Sequence, residues 1–147
     1  MVKQYSLSKD GEKSLSEHFK VKEFKCKDGS DTILIDSDLI DILEKIRKKF
    51  NKPITITSGY RTEAYNKKVS SSTNSQHCKG TAADIQVSGV KPLGVALYAD
   101  SLNAGGVGYY KQNNFTHVDV RSGSQVRWVQ LGDSSTYKTV TDLYSYI

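Results

Sequence analysis

The segment GTAADIQV, residues 80–87, is largely apolar yet carries Asp84 through its middle. An unpaired carboxylate is costly to bury, so such a group is normally paired, hydrogen-bonded or bound to a metal. Asp84 therefore limits what this part of the chain can fold into. Seven positions earlier His77 stands in the polar run SSSTNSQHC. On one helix the two side chains would be about 10.5 Å apart along the axis. Zinc–ligand bonds of ~2.0–2.2 Å keep two donors on one ion within ~4 Å of each other. A helix is thus excluded as a shared metal scaffold for this pair. A turn at CKG leading into a strand folds the chain back and sets Asp84 beneath His77, and Gly80 suits such a turn.

In that strand Ala83, Ile85 and Val87 point one way while Ala82, Asp84 and Gln86 point the other. The first set can enter the core, and Asp84 falls on the opposite face. FTHVDV, residues 115–120, has the same design: Thr116, Val118 and Val120 share one face, and Phe115, His117 and Asp119 the other. The sequence holds three histidines, and two of them stand in strand or turn contexts near carboxylates. Two histidines and one carboxylate leave one position of a tetrahedral zinc ion open, the pattern of catalytic zinc. By spacing alone the same residues equally suit a hydrogen-bonded core histidine at His117 and a turn-capping Asp84.

Around these motifs the chain alternates helical and strand-like patterns. SLSE at Ser14 to Glu17 fits a capping box ahead of a short helix containing Phe19. DSDLIDILEKIRKKF predicts a helix with Leu39, Leu43, Ile46 and Phe50 along one face. Asp38 and Asp41 near its start and Lys48 and Lys49 at its end complement the helix dipole, and NKP terminates it. ITIT reads as a strand, TEAYNKKV as a short helix, SSSTNSQ as a flexible loop and KPLGVALYADSLN as a helix. GGVGYY, FTHVDV and QVRWVQL form three late strands. Helices early and strands late predict an α+β fold. Its small antiparallel sheet carries helices on one side, with the zinc site on the open face.

At 147 residues, with 37% apolar and 25% charged residues, the chain suits one domain able to bury a core unaided. Its core is expected over about 15–130, with 131–147 as an extension of no assigned role. No apolar run approaches the ~18 residues of a membrane span, and no secretory signal is evident in this chain. The net charge of +5 suits an anionic partner such as cell-wall polymer, and no nucleic-acid motif accompanies it. Cys26 and Cys78 are expected as free thiols. His18 is expected at a surface or helix end, and Cys78 outside any ligand set.

SGYRTEAYN, SQHCKGTAADI and GGVGYY…FTHVDVR, in this order, closely resemble the zinc D-Ala-D-Ala carboxypeptidase family of peptidoglycan peptidases, which shares a metal-site fold with lysostaphin and the hedgehog signalling domain. The family's S-x-H-x-x-G-x-A-x-D motif falls on Ser75, His77, Gly80, Ala82 and Asp84, and its H-x-D on His117 and Asp119. The resemblance runs from about Leu15 to Trp128. It implies one Zn2+ per chain held by His77, Asp84 and His117. Arg61 would hold a substrate carboxylate or the developing oxyanion, Ser75 would bond the substrate or steady its loop, and Tyr109 or Tyr110 would wall the groove. Many relatives place an acidic general base three residues before the last histidine, where this chain has Asn114. Asp119 is then the nearest candidate base, with orientation of a ligand as its alternative role.

The expected function is zinc-dependent hydrolysis of amide bonds in peptidoglycan peptides. The activity would be that of a carboxypeptidase or a cross-link or stem-peptide endopeptidase, as in a phage endolysin. It would act at the bacterial cell wall as a monomer, without nucleic acid or membrane insertion. The alternative is a zinc-stabilised module that binds cell-wall peptide without cutting it.

Overall fold

The computed structural model describes residues 1–70, 72–132 and 136–147. Position 71, inside the loop expected over SSSTNSQ, and positions 133–135, in the expected C-terminal extension, lie outside the described residues.

Two antiparallel strands, β1 (Val2–Ser6) and β2 (Thr32–Asp36), form a small sheet in which Val2 faces Asp36. A four-residue helix, α1 (Leu7–Asp10), follows β1. β2 runs directly into α2 (Ser37–Phe50), where the Asp36 carboxylate accepts from the Asp38 N–H at 2.8 Å and caps the helix. Leu39, Ile40, Leu43 and Ile46 are buried along one face. Asn51 ends the helix in the left-handed conformation, φ +51°, which asparagine tolerates better than most residues.

The main sheet contains β3 (Ile54–Ser58), β4 (Ala82–Val87), β5 (Gly106–Tyr110), β6 (Phe115–Asp119), β7 (Val126–Gln130) and β8 (Lys138–Thr139), in the spatial order β3-β4-β6-β5-β7-β8. Every neighbouring pair is antiparallel except β5 and β7, which run parallel. The sheet is therefore mixed. The other two helices are α3 (Glu63–Val69) and α4 (Pro92–Ser101), the latter with proline in its first turn. α2 and α4 cover one face of the sheet, where Ala83, Ile85, Val107, Tyr109, Val118 and Val129 join Leu43, Ile46, Val95 and Ala99 in a continuous core. The expected α+β architecture with helices on one side is present.

Strand alternation sends the remaining side chains to the uncovered face. There Asp84, His117, Gly108, Trp128 and Thr139 lie opposite one another on five successive strands and form one transverse row. The residues flanking that row are Ala82, Asp119, Gly106 and Val126 on one side, and Gln86, Phe115, Tyr110 and Gln130 on the other.

Two sequence expectations change. SLSE caps no helix: Ser14 bridges to Lys20, while the Ser16 hydroxyl and the His18 N–H donate to Glu44 on α2. A long-range carboxylate has taken the donors that a local cap would have used. At the single turn Val21–Phe24 the Lys20 N–H donates instead to Glu23 Oε2 at 2.7 Å, and the Glu23 N–H donates to the Lys20 carbonyl at 3.1 Å. The chain ends also belong to the fold, since β1 pairs with β2 and β8 extends the main sheet. Leu143, in the turn Leu143–Tyr146, is buried in the common core.

Candidate metal centre and its cleft

His77 sits in a single 3-10 turn, Gln76–Lys79. Ser75 caps this turn, its hydroxyl accepting from the His77 N–H at 3.2 Å. Gly80 closes it at φ +76°, and a Cβ there would lie 2.6 Å from the Leu34 carbonyl. Both the dihedral and the close approach require glycine. The imidazole donates from Nδ1 to the Gly59 carbonyl at 2.7 Å, which turns its Nε2 toward Asp84 Oδ1, 3.3 Å away.

Asp84 and His117 are directly paired residues on β4 and β6. His117 Nδ1 is 3.0 Å from Asp84 Oδ1, and its Nε2 is 2.7 Å from Asp119 Oδ2. Each ring thus has one nitrogen tied to a backbone or carboxylate oxygen and the other turned toward Asp84. One ligand atom from each of His77, Asp84 and His117 lies within 4.8 Å of the other two, and all three residues are buried. Two oriented imidazoles and a carboxylate are a donor set that fits zinc, and hydrogen bonds of this kind fix the tautomer a metal requires.

The electrostatics follow from this packing. Burial alone would raise the Asp84 pKa, but the adjacent His77 and His117 rings outweigh it and hold the carboxyl well below its ordinary range. Burial opposes charge on His117 too, yet its bonds to Asp119 and Asp84 push it up to about 9. Asp119 is also held low despite burial, first by His117 and then by Arg121.

Arg61 reaches the centre from β3's end of the sheet. Its Nη2 is 3.6 Å from Asp84 Oδ2, its Nε donates to Ser58 Oγ at 3.2 Å, and its Nη1 donates to Asn66 Oδ1 at 3.2 Å. Asn66, buried on α3, also donates to the Ser72 carbonyl at 2.7 Å and so ties Arg61 to the loop leading to His77.

Asp119 is fully buried on the side of the His117 ring away from Asp84. Its Oδ2 accepts from His117 Nε2 and from Arg121 Nη2, each at 2.7 Å. Its Oδ1 accepts from Arg121 Nε at 2.9 Å and from the Arg121 N–H at 3.1 Å. Gly106 makes room for this carboxylate, since a Cβ there would overlap it. Gly108 does the same for the Trp128 indole. That indole lies 4.9 Å from the His117 ring and under the Arg121 guanidinium, 5.6 Å away.

These residues open into a cleft of about 550 Å³ that also includes Ser75, Tyr110, Phe115 and Tyr137. Asp84 is the only carboxylate lining it among the described residues. Asn114 lies in the turn before β6, at φ +58°, and lines a separate groove beside Pro53 and Lys91. Tyr109, expected as a groove wall, is instead in the core beneath the sheet, because strand parity turns it away from His117. Its neighbour Tyr110 lines the cleft and accepts a hydrogen bond from Trp128 Nε1 at 3.0 Å. Cys26 and Cys78 are both free thiols outside the ligand set, and His18 pairs with Glu44 at 2.7 Å.

Arg121, Trp128, Gly106, Gly108 and Asn66 were not singled out from the sequence. Parity supplied a signal for four of them. Gly106 and Gly108 lie opposite Asp119 and His117, and Trp128 opposite Gly108, while Arg121 follows the H-x-D motif by two residues. Nothing local marks Asn66.

Peptidoglycan L,D-endopeptidase MepK of Escherichia coli (strain K12) is 35% identical over 92 residues, 58% of this chain and 50% of that protein. Probable peptidoglycan L,D-endopeptidase MepK of Haemophilus influenzae is 43% identical over 74 residues, 47% of this chain and 40% of that protein. The chain spans about half the length, or less, of these curated relatives. A family-level match to Peptidase M15 runs over residues 17–119 and takes in His77, Asp84, His117 and Asp119. The chain belongs to the Peptidase M15 family.

Proposed function

We propose that this protein is a zinc-dependent peptidase acting on the peptides of peptidoglycan at the bacterial cell wall, cutting within a stem or cross-link peptide. One observation carries the reading: His77, Asp84 and His117 present converging ligand atoms, with each imidazole's second nitrogen already bonded, at the floor of an open cleft. The MepK names of the relatives favour an endopeptidase over a carboxypeptidase, and no helix among the described residues is long and apolar enough to cross a membrane.

A zinc ion held by these three residues supplies Lewis acidity and an activated water near neutral pH. Arg61 offers a permanently charged fork beside Asp84, suited to negative charge building on a substrate carbonyl or to a fixed carboxylate. Ser75 holds His77 in its turn through the cap. Asp119 was expected as general base. With four donors on its two oxygens, and placed behind His117, it is better read as the group that orients that ring.

A second reading, a zinc-stabilised module that binds cell-wall peptide, draws support from Asp84 being the only carboxylate in the described cleft lining. Incubation with a defined muropeptide, with and without chelator and followed by mass spectrometry, separates the two. The peptidase reading requires chelator-sensitive products whose masses identify the bond. One bound zinc per chain with intact muropeptide would leave the binding module. Elemental analysis of the purified protein tests the metal, since two histidines and a carboxylate also suit iron(II).

A further inference from the structure

The family match ends at residue 119, yet the cleft does not. Along the sheet, Arg61 and Ser58 flank the metal-binding residues on the β3 side, and Trp128, Tyr137 and Thr139 flank them on the β7–β8 side. This second wall continues through Tyr110 and Phe115, whose rings stack with centroids 4.0 Å apart. Tyr137 stands edge-on to Tyr110 at 6.0 Å and 83°. None of these five side chains is charged.

The wall also carries a hydrogen bond. The Trp128 indole can only donate, and it donates to Tyr110 Oη at 3.0 Å. Tyr137 stands half exposed at the end of this wall. It is held there by β8, where Thr139 pairs with Trp128, and by Leu143, which is buried in the core.

Building on the peptidase reading, we propose that Tyr137, carried by the C-terminal segment, is a substrate-binding residue. With Tyr110 and Trp128 it forms a subsite for an uncharged, aliphatic residue of the peptide next to the scissile bond. An apolar side chain gains contact area on these faces, whereas an acidic one would lose hydration beside an Arg121 guanidinium whose Nε and Nη2 are already bonded to Asp119.

The test uses the zinc-loaded full chain and a stem peptide carrying alanine beside the scissile bond, against the same peptide with glutamate there. The chain's single tryptophan is Trp128, so intrinsic fluorescence reports binding in this wall directly. Tyr137→Ala should raise KM, or the fluorescence Kd, about 5–10-fold for the alanine peptide, with kcat changed less than twofold and zinc content unaltered. Tyr137→Phe should recover more than half of that loss. Tyr144→Ala, an exposed aromatic outside the cleft lining, should match the wild type.

Cleavage with KM unchanged in Tyr137→Ala, or equal preference for the glutamate peptide, would overturn the subsite and leave the peptidase reading standing. Saturable binding without cleavage, weakened by Tyr137→Ala, would sustain the subsite while the peptidase reading fails. Absence of both cleavage and saturable fluorescence change would overturn both.

Discussion

The imidazole of His117 donates from Nε2 to Asp119 Oδ2 across 2.7 Å. This bond determines which nitrogen faces the ligand cluster, leaving Nδ1 3.0 Å from Asp84 Oδ1. It also gives Asp119 a task that needs no access to the cleft.

Asp119→Ala should therefore weaken zinc binding by roughly 10–100-fold, the usual cost of losing a carboxylate that orients a ligating histidine. Turnover should return to within about tenfold of wild type once zinc is saturating. Competitive titration against a chromophoric chelator, followed by kinetics at saturating metal, separates affinity from chemistry. A deficit of about 10²–10⁴ persisting in fully loaded protein would restore Asp119 as general base.

The metal-free centre should bind protons in place of metal. With its pKa pushed up to about 9, His117 is protonated at pH 7, and Nδ1 must lose that proton before it can ligate. Zinc affinity should rise with pH until about 9, with about one proton released per zinc at pH 7. Calorimetry in buffers of different ionisation enthalpy measures that release.

Stability of the metal-free protein has its own sign. Raising the His117 pKa from 6.5 in the unfolded chain favours the folded state fully below 6.5, and this contribution is lost as pH rises through about 9. The depressed Asp84 and Asp119 act the other way, contributing above their ordinary 3.8 and losing that contribution as pH falls. Thermal unfolding with chelator should give the highest Tm between these limits.

Gly106→Ala places a methyl 2.6 Å from Asp119 Cγ, at a position where the strands cannot separate without breaking the β5–β6 pairing. Overpacking of this kind costs about 1–3 kcal/mol. It should also displace Asp119 and so reduce zinc affinity. The lowered Tm and the weaker zinc binding should appear together, whereas Gly132→Ala, with open space around its Cβ, should change neither.

Asn66→Ala removes the link between Arg61 Nη1 and the Ser72 carbonyl. Leaving those groups without it should cost about 1–3 kcal/mol of stability. Because Arg61 loses one of its two neutral anchors, KM for the peptide should rise while zinc content stays at wild-type level. Denaturant unfolding, elemental analysis and kinetics on one preparation test all three.

Period and turn chemistry made much of the scaffold legible in the residues themselves. The spacing of Leu39, Leu43 and Ile46 marked α2, alternation in β4 and β6 separated Asp84, His117 and Asp119 from the core, and Gly80 announced the turn that returns His77 over the strand. Such signals are local, set by the 3.6- and 2-residue periods and by φ at one position. Even Tyr109 and Tyr110 obey them: counted from His117 through the β5–β6 register, parity sends Tyr109 inward and Tyr110 into the cleft. That register, however, is a property of strand pairing.

What only tertiary structure decided was which partner each polar group found. Glu44 drew the Ser16 hydroxyl and His18 N–H away from a local cap, Arg121 and His117 together enclosed Asp119, and β8 brought Tyr137 beside Tyr110. These contacts join residues on different elements, and their energies depend on burial and distance that no local spacing encodes. The sequence by itself determined that Asp84 and His117 lie on strand faces opposite the apolar residues and that His77 precedes a turn into β4. The assembled sheet decided how their nitrogens are oriented, because only packing fixes which side of His117 meets Asp84 and which meets Asp119.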